Sequence, residues 1–512
     1  MIEGQHSKVQ RIISALVVVG VLTIVFAGLG KAIAYFKTGA DNGEIHIINT
    51  NILKDHSPKV IWKEDRIVDG RILNSYMRSE IEQAYIEAWY VASMSFANKE
   101  ASHLEDYFAG DALDWIKDEV NDTSQYTIHQ TELNHDLQLH HFTLDNQLAA
   151  FEDLGVRVVK KILDAEQTVV YEEEQVFNYD VVMILDDGRW RIKHMVKSIA
   201  DTMYSKNKLG KDTRMLAKLN QMRGVNYYPA STPWFEFWEN FSADTTIQDL
   251  KLAKSLDFNT VRIFLQYSVF GEEKVREEML EKLETFLDIA EEQKIKVIVT
   301  LFDFPKSYQL INYTATDRHI EKILTRFKDH KAILAWDVKN EPDLDFNNYG
   351  EQVVTEWLAF AIKRARAYDP NHLMTIGWSQ PDQAHKLSEQ VDFVSFHYYD
   401  EAVELTKEIR SLREKAPGKK LVLGEFGQTS LSSLLTLYNK SESKQADYYA
   451  EILDVLKREK VSFISWALHD FEEAPSEVFG LKPWIRGPQK HYGLIRPDGS
   501  SKPVAELMKI KF

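Results

Sequence analysis

From Asn220 onward, short apolar runs alternate with helical stretches, and no other feature of this 512-residue chain restricts its fold as tightly. The runs lie at 221–227, 260–265, 296–302, 333–338, 373–377, 393–397, 421–424 and 462–467. Between them stand helical patterns, clearest at Val275, Met279, Leu283, Phe286, Leu287 and Ala290, and a last helix should follow Pro503. Such alternation is the mark of repeated βα units and a parallel sheet. Eight strands and eight helices within about 290 residues predict an α/β fold of the (β/α)8 barrel type. An open doubly wound sheet would carry a glycine-rich phosphate loop after its first strand. Here Tyr227 is followed instead by Tyr228-Pro-Ala-Ser-Thr-Pro-Trp234.

In a barrel of this kind the chemistry sits where strands end at their C-terminal face. Those ends supply Asn226 and Tyr227, Arg262, Asp303, Asn340 and Glu341, Trp378, His397 and Tyr399, Glu425, and Trp466. Two carboxylates stand out because each directly follows an apolar strand amid aromatic and amide residues: Glu341, in Trp336-Asp-Val-Lys-Asn-Glu-Pro-Asp343, and Glu425, in Leu421-Val-Leu-Gly-Glu-Phe-Gly427.

Asn340-Glu341-Pro342 and Gly424-Glu425-Phe426-Gly427 resemble the retaining glycoside hydrolases of the large (β/α)8 clan, family 5 (cellulases and mannanases) above all, over 221–508. The resemblance implies that Glu341 is the acid/base and Glu425 the nucleophile, the two carboxyls being about 5 to 5.5 Å apart. It also implies that Arg262 supports the nucleophile, Asn340 binds the sugar 2-hydroxyl, His397 and Tyr399 form the strand-six pair, and Trp466 is the strand-eight platform. Trp378 joins them as a sugar-binding residue, and Trp234, Trp238 and Trp484 stand in or beside loops of the same face. One departure is visible: many members carry a His just after strand three, where this chain reads Leu301-Phe-Asp-Phe-Pro305. The chemistry needs one protonated carboxyl and one ionised. Arg262 should keep Glu425 ionised, and apolar surroundings such as Trp336 should keep Glu341 protonated.

Upstream, 12–30 holds 19 residues without a charge, which span about 28 Å as a helix, with Lys8 and Arg11 before it and Lys31, Tyr35 and Lys37 after it. This predicts a single transmembrane anchor over 1–37, longer than the apolar region of a cleaved signal peptide. The short head should remain inside, placing the catalytic domain at the cell membrane's outer side. Residues 38–73 read as a stalk. Ile81, Ala84, Tyr85, Ala88, Trp89, Ala92 and Phe96 then share one helix face, with Ser79 and Glu82 forming a capping box. A second helix is expected over 102–120, then strands near 126–142, 149–163, 167–185 and 189–198, with Asp186-Asp-Gly188 as a hairpin turn. Two helices followed by a sheet ending in Gly188-Arg-Trp-Arg-Ile192 resemble the small α+β cone domains related to nuclear transport factor 2 (NTF2-like), over 74–200. His129, His135 and His141 share a parity there and read as a solvated strand face, too widely spaced for one metal ion. A basic linker, 201–219, leads to the catalytic domain, 220–512.

The net charge of −16, with basic residues interspersed among acids, argues against a nucleic-acid partner. With no cysteine, disulfides, thiolate metal sites and a Cys nucleophile are excluded. No metal motif or nucleotide loop is present, so no cofactor is expected. The leading expectation is a membrane-anchored β-glycosidase acting within a β-linked glucan or mannan. The alternatives are a transglycosylase that remodels a polysaccharide, or a glycan-binding component whose small domain docks a protein partner in a synthesis or export complex.

Overall fold

The computed structural model describes residues 58–66, 69–70, 72–121, 127–164, 168–199, 213–305, 307–433, 438–480 and 482–509. The chain divides into two compact units, Met1–Ala200 and Asp201–Phe512.

In the second unit, eight parallel strands close into a barrel in chain order: Arg223–Asn226, Thr260–Gln266, Lys296–Asp303, Ile333–Asn340, Leu373–Trp378, Phe393–His397, Lys420–Glu425 and Ser462–Ser465. They are called strands one to eight below. Nearly every strand residue is buried, because helices cover the outside while side chains fill the inside. Ile298, Ala335, Leu373, Phe393, Val422 and Ile464 form an apolar plug near the strands' N-terminal ends. The expected eight helices are not all there: among the described residues, strands five and six are joined only by a 3-10 turn, Ser388–Gln390. Residues 379–392 leave too little chain for a helix that could cross back along the barrel. The last helix, Pro503–Leu507, does follow the predicted proline.

The first unit carries a long helix, Ser75–Asn98, and a second, Gly110–Asn121, before the antiparallel strands Thr127–Glu132, Asn134–Phe142, Leu148–Leu163, Val169–Asp186 and Arg189–Ile199. The first helix buries Ile81, Tyr85, Ala88, Trp89, Ala92 and Phe96, the face its periodicity marked. Each large apolar side chain so buried contributes about 1.5–3 kcal/mol. Its cap lies one turn earlier than expected: Asn74, not Ser79, accepts the Met77 N–H at 2.9 Å. Asp187 and Gly188, at φ 49° and 76°, make the two-residue turn before Arg189, as a tight hairpin requires.

Two readings are corrected here. Part of the expected stalk, Lys59–Trp62, is a strand that pairs in parallel with Asn134–Phe142. The three histidines do not share a solvated strand: His129 lies on Thr127–Glu132, and His135 on the next strand is fully buried against Asp153, Nδ1 to Oδ2 at 2.6 Å. Tyr85 donates to the same Asp153 oxygen at 2.9 Å, which satisfies a carboxylate that burial would otherwise penalise. Among the described residues no helix is long and apolar enough to cross a membrane. The predicted span at 12–30 lies outside them, as does most of the basic linker, whose last residues form the helix Thr213–Leu219.

Candidate active site

Strand pairing sets the site. Thr300 on strand three and Asp337 on strand four are register partners, and Arg262 on strand two reaches across to them. Its guanidinium gives Nε and Nη2 to Asp337 Oδ2, at 2.9 and 2.5 Å. Nη1 goes to Glu425 Oε1 at 2.6 Å and Asn226 Oδ1 at 3.1 Å, and Nη2 also reaches Asn340 Oδ1 at 2.8 Å. Asp337 is completed by the Thr300 hydroxyl at 3.0 Å and the Gly377 N–H at 2.8 Å. Burial alone would weaken the arginine's hold on its proton, but the Asp337 and Glu425 charges more than offset this and raise its pKa. Gly377 is required by the closeness of this packing: a Cβ there would stand 2.8 Å from Arg262 Nη2 and 3.0 Å from Asp337 Oδ2.

Arg262 therefore fixes one oxygen of Glu425. Its other oxygen, Oε2, accepts the Tyr399 hydroxyl at 2.7 Å. Burial, then the charges of Glu425 and Glu341, push the Tyr399 phenol well up, so it remains a donor. His397, with no exposed surface, places Nδ1 at 3.0 Å from Glu341 Oε1 and 3.6 Å from Glu425 Oε2. Glu341 itself sits just past strand four at φ 49°, its N–H donating to Gly377 O at 2.7 Å. A left-handed conformation is costly for a glutamate, about 1–3 kcal/mol, and such strain collects at functional positions. The Glu341 side chain is 26% exposed and that of Glu425 6%, so Glu341 stands toward the opening and Glu425 in the wall.

Oxygens of Glu341 and Glu425 and a His397 nitrogen lie within 4.8 Å of one another, close enough to hold a divalent cation. His397 and Glu341 in it are already joined by a hydrogen bond along which a proton can be shared. Burial would raise the Glu341 pKa, but the His397 hydrogen bond and the charges of His397, Lys339 and Arg262 hold it below the usual carboxyl value. Burial would likewise lower His397, yet the Glu425 charge and the Glu341 hydrogen bond raise it. Each member of the pair thus favours the charged form of the other. This differs from the expectation of a carboxyl kept neutral by Trp336, whose indole donates to Asp369 at 2.7 Å. The sheet's period of two explains the difference: Asp337 faces Arg262, so Trp336 faces outward.

The same alternation separates Asn226 from Tyr227. Tyr227 turns to the helix layer, its hydroxyl on Asp249 at 2.9 Å, whereas Asn226 binds Arg262 and Tyr228 stands against the mouth with its ring 6.3 Å from that of Trp466. Trp466 is 8% exposed and edged by Trp234, Phe264 and Phe471. Trp378, at 2%, packs beside Phe346, and Trp238 is a core residue that donates to Phe264 O at 2.7 Å. Trp484 is 55% exposed. Asp303 lies buried at the end of strand three, where Gln266 donates to it at 3.4 Å. Sequence reading missed Asp337, Tyr228, Gln266 and Lys339. For Asp337 there was a signal: a carboxylate inside an otherwise apolar strand must find a buried partner.

A family model described as Cellulase (glycosyl hydrolase family 5) matches residues 215–472, about half of the chain. Mannan endo-1,4-beta-mannosidase 1 of Solanum lycopersicum is 29% identical over 154 residues, 22% of this chain and 38% of that protein. Beta-glucuronidase of Chlorocebus aethiops is 23% identical over 198 residues, 35% of this chain and 30% of that one. The chain thus spans well under half the length of either. Among solved structures, the exo-beta-1,4-mannosidase Op5Man5 from Opitutaceae bacterium strain TAV5 aligns with a TM-score of 0.47 at 22% identity, covering 56% of this chain and 58% of its own.

Proposed function

The chain belongs to glycosyl hydrolase family 5, and from that premise we propose that it hydrolyses a β-linked glucan or mannan with retention of configuration. The observation that carries this reading is the close approach of Glu341 and Glu425, with oxygens within 4.8 Å and His397 between them. Inverting enzymes hold the two groups about 6.5–9.5 Å apart to admit a water, whereas direct attack needs the shorter separation. Glu425, hydrogen-bonded by Arg262 at one oxygen and Tyr399 at the other, attacks the anomeric carbon. Glu341, on the more open side, delivers the shared proton to the departing oxygen. Once that proton has left with the departing oxygen, Glu341 is ionised. Glu341 is then free to act as base toward the incoming water. Asn340, anchored on Arg262, is placed to bind the 2-hydroxyl, and Trp466 to flank the sugar ring. The test is a panel of β-mannans and β-glucans offered to the full chain, with product sizing. Shortened polymers support internal cleavage, elongated ones transfer to another sugar, and no change on any polymer refutes the reading.

The mannan endo-mannosidase likeness favours action within the polymer. The first unit, with its two helices and antiparallel sheet, serves in this proposal as an NTF2-like docking module for a protein partner, and 12–30 as an anchor that holds the enzyme at the outer side of the cell membrane. The 19 uncharged residues motivate a direct expectation: the full chain sediments with membranes and withstands salt and alkaline extraction, while a chain starting at residue 58 stays in the supernatant. Release of the full chain by high salt alone contradicts the anchor.

A further inference from the structure

A buried lysine stands beside the acid/base, and the steps above give it no task. Lys339 precedes Asn340 in strand four, is the register partner of Phe302 in strand three, and is only 4% exposed. A buried ammonium is costly unless its N–H groups find acceptors. Lys339 Nζ finds two: it donates to the Asn340 carbonyl and lies 3.5 Å from Asp345 Oδ2. Asp345 also accepts the hydroxyl of Tyr308, a buried residue of the loop after strand three. Burial, then the Asp345 charge, push the Tyr308 phenol well up, so it remains a donor. Asp345 closes the short turn Pro342–Asp345 that directly follows Glu341. The other flank of this turn is fastened beyond strand five, where Asp343 accepts the Ser379 N–H at 2.9 Å, the Ser379 hydroxyl at 2.6 Å and the Gln380 N–H at 3.0 Å. Glu341 itself, at φ 49°, gives its carbonyl to the Leu344 N–H at 3.2 Å. A glutamate in left-handed backbone persists only where its surroundings over-determine it. Lys339, Asp345 and Tyr308 supply that restraint on the strand-three side.

We propose that Lys339 is a positioning residue for Glu341: by holding the Asn340 carbonyl and Asp345 it fixes the peptide before Glu341 and the turn after it, and so keeps that carboxyl within reach of the leaving-group oxygen. The inference rests on the glycosidase reading and adds a residue with almost no exposed surface. The peptide between Asn340 and Glu341 is gripped at both ends, its oxygen by Lys339 and its N–H by Gly377 O at 2.7 Å. A peptide unit is planar, so this grip sets the direction from which the Glu341 backbone leaves the strand. A neutral side chain of similar length at 339 would leave the Asn340 carbonyl and Asp345 without their ammonium. A displacement of about 1 Å in a catalytic group costs about 100-fold in rate. Glu425 is held from elsewhere, by Arg262 and Tyr399. The loss should therefore fall on proton delivery and spare the attack.

The test compares the full chain with its Lys339→Met, Lys339→Arg and Asp345→Asn variants on phenyl and 2,4-dinitrophenyl β-mannobiosides and β-cellobiosides, read as kcat/KM, which reports the first displacement. Lys339→Met is expected to lose about 10- to 100-fold on the phenyl glycoside, whose leaving group needs a proton, and less than about threefold on the dinitrophenyl one, whose leaving group does not. Asp345→Asn should show the same split with a smaller loss. Lys339→Arg keeps the charge and the donors and should recover most of the phenyl activity; an arginine no better than methionine overturns the role of the cation. A merely structural lysine would lower the melting temperature and reduce both kcat/KM values together, and an unchanged ratio of the two overturns the proposal. Should Lys339→Met not fold, the ratio in Asp345→Asn decides by the same criterion. A parent inactive on all four glycosides refutes the hydrolase reading and this proposal with it, whereas an active parent whose variants keep its ratio refutes the proposal alone.

Discussion

Glu425→Gln is expected to lower turnover by more than about four orders of magnitude on every β-glycoside, because no other ionised group in the mouth can take its place against the anomeric carbon. Glu341→Gln is expected to cost about two to four orders of magnitude on natural substrates, the usual worth of a positioned acid/base. The two should part on a 2,4-dinitrophenyl glycoside, whose leaving group needs no proton. Release of the first dinitrophenolate then recovers in the Glu341 variant as a burst followed by slow hydrolysis, while the Glu425 variant stays inactive. The geometry supports the distinction: Glu425 is the wall residue held at both oxygens, by Arg262 at 2.6 Å and Tyr399 at 2.7 Å, and Glu341 the more exposed partner of His397. Equal behaviour of the two variants on the activated substrate contradicts the assignment of roles.

Arg262→Met is expected to damage both stability and chemistry. Arg262 neutralises two carboxylates, Asp337 and Glu425, each almost wholly buried. Removing one partner of a buried ion pair costs about 3–5 kcal/mol because the charge left behind has neither water nor a counter-ion. The melting temperature should fall by several degrees and turnover nearly vanish, as Glu425 loses the guanidinium that fixes its Oε1. A second change separates the two effects. Arg262→Met with Asp337→Asn removes the stranded charge on the strand-four side, so most of the lost stability should return. Activity should not, since Glu425 still lacks its guanidinium. Recovery of turnover along with stability would show that Arg262 is a structural residue only.

Much of this site could be read from the chain because a barrel sorts residues by position. Arg262, Asn340, Glu341, His397, Tyr399 and Glu425 were all assigned to strand ends, and the structure brings them together: hydrogen bonds join Arg262, Asn340, Tyr399 and Glu425, and His397, bonded to Glu341, stands 3.6 Å from Glu425. What escaped reading lay within strands or in their facing. Asp337, three residues before the end of strand four, looked like an interruption in an apolar run, yet it is the anchor of Arg262. Trp336 was credited with an influence that its outward orientation forbids, and Tyr227 stood for what Tyr228 does, both errors of one residue in a period of two. Lys59–Trp62 gave no strand signal because four residues carry too little pattern; its partner strand, distant in sequence, creates it. The buried His135 depends in the same way on Tyr85 and Asp153, which the sequence keeps 50 and 18 residues away.

The central claim is direct attack by Glu425 across a gap too short for water, and the configuration of the first product tests it most directly. Proton NMR of the anomeric region, recorded over the first minutes of hydrolysis of a β-linked substrate by the full chain and before mutarotation, reads that configuration without any substitution. Two displacements at the same carbon, first by Glu425 and then by water activated by Glu341, return the β form, so the β anomer should rise first and the α anomer only at the pace of spontaneous mutarotation. An α anomer that leads from the earliest spectra would mean a single displacement by water, and would contradict Glu425 as the nucleophile.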